Sequence, residues 1–94
     1  MLFAVHALDH DDAVERRLSN YEAHKAYLAA SGMKTLVSGP LLAEDGETMI
    51  GSLLIVEADS KDDVIAFNRA DPFAAANVWR SVEIHAFSKR VDNR

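Results

Sequence analysis

Few side chains in this chain could move a proton or hold a charge inside a cavity, and they fall into a handful of short stretches. His24 follows Arg17 by seven residues and Tyr21 by three, and precedes Leu28 by four, so a helix would set all four along one stripe. An imidazole beside an arginine and a tyrosine on an apolar seam suits the rim of a cavity, where it can serve as general acid and base. The same stripe also reads as a half-exposed histidine packed against its neighbours. Asp71 stands directly before Pro72, at the expected end of a helix, where an acid faces the negative end of the helix dipole. A residue at odds with its local rules invites a functional reading, although Asp-Pro is equally a common start of a turn. Asp9 lies at the mouth of the first expected strand, to cap the following helix or to line a pocket, and capping is the simpler role.

The remaining histidines suggest no metal. His6 and His10 would straddle the end of a strand, and His6 and His85 fall on strands expected to be neighbours, where structural roles suffice. Gly39-Pro40 and Gly51-Ser52 sit in or beside strands, where glycine marks a bulge or a close backbone approach. Neither a Gly-rich phosphate loop nor a GxSxG nucleophile elbow is present. The single tryptophan, Trp79, reads as filling for an interface between two copies.

The elements that must position these groups follow from periodicity. Leu2–Leu8 is a nearly continuous apolar run, suited to a strand covered on both faces. Asp12 with Glu15 makes an N-cap pair for a helix over Ala13–Ala30, whose buried face is expected to carry Val14, Leu18, Tyr21 and Leu28. Lys34–Leu42 reads as an edge strand because of Pro40, and Asp45-Gly46 as a hairpin turn into a strand over Thr48–Ala58. Ser60 with Asp63 opens a second helix closed by Asp71-Pro72, with one further turn over Phe73–Ala76. Asn77–Phe87 alternates as a last strand, with Val78, Val82, Ile84 and Ala86 on one side and Trp79, Ser81, Glu83, His85 and Phe87 on the other. Residues 88–94 are expected to fray.

The order strand, helix, strand, strand, helix, strand is the ferredoxin-like βαββαβ pattern of an α+β fold: a four-stranded antiparallel sheet with two helices on one face. Two helices leave the other face of that sheet wet, and its apolar residues call for a second copy packed sheet to sheet, a homodimer.

The chain has 94 residues, enough for one domain over residues 1–94. Apolar residues are 49% and charged residues 27%, a globular balance that excludes a disordered acidic tail or a coiled coil. The lack of cysteine excludes disulfides, thiolate metal sites and a thiol nucleophile. A net charge of −5 makes nucleic acid an unexpected partner. No apolar run approaches a membrane span, and the start lacks the basic region of a signal peptide, so a cytoplasmic protein is expected.

These features together resemble the YciI-like (YCII-related) family: the opening strand ending in Asp9, Arg17 and His24 on the first helix, Gly39-Pro40, Gly51-Ser52, Asp71-Pro72-Phe73 and the alternating last strand. The resemblance covers nearly the whole chain and implies a ferredoxin-like fold paired into a dimeric α+β barrel. It also implies a pocket centred on a histidine and an aspartate, which here would be His24 and Asp71, with Asp9 the second choice. One branch of the family is a dehydrochlorinase of a chlorinated hydroxyhydroquinone; relatives in the wider superfamily include isomerases, monooxygenases and decarboxylases.

The first reading is therefore an enzyme without cofactor that acts on small enol- or phenol-like molecules. His24 would shuttle a proton and Asp71 would fix its tautomer, in lyase, isomerase or dehydrochlorinase-like chemistry. Arg17 would hold a substrate oxyanion or carboxylate, and Tyr21, Ser52 or Asp9 would add contacts. The alternative is a non-catalytic dimeric module that binds a small ligand or serves as an accessory partner. A haem or metal oxygenase lacks paired ligands.

Overall fold

The computed structural model describes all of residues 1–94. In chain order it contains β1 (Leu2–Asp9), α1 (Val14–Ala30), β2 (Lys34–Leu42), β3 (Met49–Glu57), α2 (Lys61–Arg69), α3 (Pro72–Ala75) and β4 (Trp79–Phe87). The strands form one antiparallel sheet in the order β2-β3-β1-β4. This is the expected ferredoxin-like pattern, with a third, one-turn helix added. No helix is long and apolar enough to cross a membrane.

Alternation along the two central strands decides which residues meet the helices. Phe3, Val5 and Ala7 of β1 and Leu54 and Val56 of β3 are buried on the helical face. With Ile84 from β4 and Val64 and Phe67 from α2, Phe3, Val5, Leu54 and Val56 form the larger core. Ala7, Ala13, Phe73, Val78 and Trp79 form a second core at the other end. Gly51 lies between β1 and the side chain of Leu41. A Cβ there would stand 2.3 Å from the Ala7 carbonyl oxygen, so the β1–β3 pairing requires glycine.

The turns behave as their residues dictate. Ser60 caps α2 by accepting the Asp63 amide, as expected. In the β2–β3 hairpin Gly46 has φ of +73°, and the Asp45 carboxylate accepts from the Thr48 hydroxyl and from the Thr48 and Glu47 amides. These bonds, the hydroxyl's foremost, hold the Asp45 carboxyl down at about 2. Pro40 is accommodated because β2 is an edge strand.

Four expectations need correction. Ala13, not Asp12, is the N-cap residue of α1, and no side chain caps it. Asp12 is drawn instead to Arg16, one turn along, at 3.3 Å. Secondly, the buried residues of α1 are Arg17 and His24; of the expected apolar stripe only Leu28 packs on the larger core, half-buried, while Val14, Leu18 and Tyr21 are exposed. Polar partners waiting on β1 and α3 outweigh the apolar periodicity. Thirdly, Trp79 faces the helices, because the β1–β4 register shifts between Leu8 and Asp9 and pairs Asp9 with Trp79. It is core within the protomer. Lastly, Asp71 does not oppose a helix dipole. It is the N-cap of α3, where its carboxylate accepts the Phe73 amide at 2.8 Å and Pro72 takes the favoured first helical position.

The face of the sheet away from the helices carries Leu53 and Phe87, both exposed, and His6, whose cross-strand neighbours are Leu53 and Glu83. Residues 88–94 have no regular structure; the Arg94 guanidinium donates to the Leu36 carbonyl at 3.1 Å.

Candidate functional site

The seventeen-residue helix α1 delivers two polar side chains, almost two turns apart, to the sheet side. Arg17 is 2% exposed and lies between the end of β1 and β3. Its Nε and Nη2 donate to the two Asp9 oxygens at 2.7 and 3.0 Å, and Nη2 also donates to Ser52 Oγ at 2.7 Å. The forked geometry suits a buried guanidinium–carboxylate pair, and a lysine could not reproduce it. Nη1 makes no hydrogen bond within the protein and is not sealed from solvent.

His24 is held from two sides. Its Nδ1 lies 2.9 and 2.8 Å from the Asp71 oxygens. Its ring stacks on Phe73 with centroids 4.1 Å apart and planes within 10°. Phe73 in turn has the Arg17 guanidinium 4.6 Å from its centroid, and Trp79 packs edge-on against it at 5.8 Å. A carboxylate only accepts, so Nδ1 carries the hydrogen and donates it, and the Nε2 of a neutral ring keeps its lone pair. Nε2 has no partner in the protein and is not sealed from solvent. The negative charge of Asp71 is felt nearby: burial first, then that charge, push the Tyr27 hydroxyl above its ordinary range. Tyr27 donates to the Phe67 carbonyl at 2.7 Å.

Beside these groups lies a cleft of about 230 Å³ between α1 and the β2–β3 pair. Arg17, Tyr21, His24, Lys25, Pro40 and Ser52 are among its walls. Of the residues expected from sequence to bind substrate, Arg17, Tyr21 and Ser52 line it together with His24. Asp9 does not: it neither caps α1 nor reaches the cleft, because Arg17 occupies both its oxygens. Asp71 lies behind His24, away from the opening. Two contributors went unassigned. Phe73 was visible only as the residue after Asp-Pro. Lys25, whose ammonium lies 5.0 Å from the Tyr21 ring centroid, was signalled by its spacing of four from Tyr21 and eight from Arg17. Nowhere do three His, Asp or Glu side chains converge as metal ligands.

The fold is that of a small ferredoxin-like α+β domain, in which His24 of a buried imidazole–carboxylate pair lines a cleft. The chain belongs to the YCII-related domain family, whose model matches residues 1–88. It is 34% identical over 96 residues to Protein YciI of Escherichia coli O6:H1 and of Shigella flexneri, across 95% of this chain and 98% of theirs. Among solved structures it matches 5-chloro-2-hydroxyhydroquinone dehydrochlorinase of Burkholderia phenoliruptrix in complex with 2,5-dihydroxybenzoquinone. That match has a TM-score of 0.81 and 35% identity over 94% of each chain.

Proposed function

We propose that this protein is a small-molecule enzyme that works without a cofactor, in which His24, oriented by Asp71, exchanges a proton with an enol- or phenol-like substrate. The observation that carries this reading is the His24–Asp71 contact, with the one unpartnered ring nitrogen left open to solvent at a cleft. Nε2 would take a proton from a substrate hydroxyl or activated C–H, and Asp71 would stabilise the imidazolium until the proton returned to another atom of the product in an isomerisation, or passed to solvent as chloride left in an elimination. Arg17 Nη1 and the Ser52 hydroxyl would hold a substrate oxygen and Tyr21 would cover a ring, a reading supported by their shared place in the cleft wall. Elimination and isomerisation need no more than this, and the dehydrochlorinase relative supports that reaction type.

The protein would act as a homodimer through the open face of the sheet, where Leu53 and Phe87 are exposed and no helix lies. Sedimentation should give a dimer, and Leu53→Glu a monomer. A wild-type monomer would refute the pairing.

The catalytic reading is tested by deuterium exchange of the ring hydrogens of 2,5-dihydroxybenzoquinone, followed by NMR. Wild-type protein should accelerate exchange and His24→Ala should lose about 10²–10⁴-fold of the acceleration. Equal acceleration by both proteins would remove His24 from the chemistry, and no rate above background would leave the non-catalytic binding module as the better account.

A further inference from the structure

We propose that the groove between α2 and β4 is a second binding site, which takes a small carboxylate with an aliphatic body. It is independent of the His24 cleft and shares no residue with it. Lys61, Ile65, Asn68 and Arg69 present one side of α2, and Val82 and Ile84 of β4 face them across a space of about 320 Å³. That is more room than the His24 cleft offers.

Asn68 is the informative residue. It is 8% exposed, yet its carboxamide makes no hydrogen bond within the protein, and its polar atoms are not sealed from solvent. A carboxamide that the protein largely encloses, yet leaves without a protein partner and open on a groove, presents two donors and an acceptor to whatever occupies that groove. The charges agree. Neither Lys61 nor Arg69 forms an ion pair, and no acid lines the groove, although the chain carries −5 overall. The acids closest in sequence lie outside the lining: Asp62 and Asp63 occupy the first turn of α2, Asp59 and Asp71 flank the helix, and Glu83, between Val82 and Ile84, is on the other face of the sheet beside His6.

Arg69 adjoins Asn68, so a carboxylate between them would meet the guanidinium fork and the amide hydrogens. Its aliphatic body would then run over Ile65, Val82 and Ile84 toward Lys61. Lys61 lies eight residues back, about 12 Å along the helix, too far for its backbone position to serve the same carboxylate. The arrangement therefore selects an amphipathic acid over a compact anion.

The test is an amide and side-chain NMR titration of the full chain with hexanoate, with 1-hexanol and inorganic phosphate in parallel. Hexanoate should saturate with Kd of about 1–10 mM, move the Asn68 side-chain amide and the signals of Ile65, Arg69 and Val82, and do so equally in His24→Ala. Arg69→Gln, an exposed change, should raise Kd about fivefold or more. Equal response to hexanol would reduce the groove to an apolar patch, and equal response to phosphate to a patch of surface charge. Either outcome, or failure of hexanoate to saturate, overturns the proposal. Loss of hexanoate binding in His24→Ala would also overturn it, because the ligand would then be in the other cleft.

Discussion

Replacing Asp71 with asparagine removes one charge and keeps the shape, and its consequence can be worked from distances. In the wild type both carboxylate oxygens lie within 2.9 Å of His24 Nδ1, and Oδ1 also accepts the Phe73 amide. A hydrogen bond to a charged group contributes about 1.5–3 kcal/mol. At about 1.4 kcal/mol per tenfold, that favours the Nδ1–H tautomer by roughly 10- to 100-fold, so more than about nine-tenths of neutral His24 should hold its lone pair on Nε2. Asparagine offers one oxygen, already wanted by the Phe73 amide, and an NH2 that suits the opposite tautomer. The preference should fall to within a few-fold of unity. Asparagine is as good an N-cap as aspartate, so α3 should persist and the loss of stability should stay near 1–2 kcal/mol. Nitrogen-15 chemical shifts of the imidazole read the tautomer directly, and a thermal melt reads the stability. Unchanged His24 nitrogen shifts in Asp71→Asn, or wild-type shifts like those of a free peptide, would refute the reasoning and with it the dyad.

Other perturbations separate what supports the site from what acts in it. Arg17→Met leaves Asp9 buried and unpaired and should cost about 3–5 kcal/mol in urea unfolding, while Asp9→Leu with Arg17→Met should recover much of it; equal losses in single and double variants would refute a paired role. Gly51→Ala puts a methyl group 2.3 Å from the Ala7 carbonyl oxygen and should destabilise by about 1–3 kcal/mol, seen as a lower Tm; an unchanged Tm would mean the strands part freely. The Asp45 carboxyl is lowered on folding from 3.8 to about 2, so its stabilisation is full above the ordinary carboxylate range and is lost as pH falls through about 2. The stability gap between wild type and Asp45→Asn should therefore be constant near neutrality and close in acid, and a gap that widens in acid would contradict that sign.

Order and type of the elements were legible in the residues because they rest on local chemistry: alternation in β3, the Ser60 cap, the Asp45-Gly46 turn, and the proline that confines β2 to an edge. The meeting of His24 with Asp71 agrees with what the family resemblance implied, although the argument from Asp71's unfavourable dipole position was mistaken, since it begins a helix rather than ending one. What tertiary structure alone decided is which partner each buried charge meets. Periodicity pointed α1 inward along Val14, Leu18, Tyr21 and Leu28, yet only Leu28 of these meets the core and the helix turns Arg17 and His24 inward, because a buried carboxylate on β1 and another at the start of α3 lie within hydrogen-bond reach only after the chain has folded. The register shift that swings Trp79 to the helices, and the stacking of Phe73 on His24, are likewise contacts between segments far apart in sequence. Local preference sets which segments become helices and strands; pairing across the fold sets which faces they bury, because an unpaired buried charge is more unfavourable than an exposed leucine.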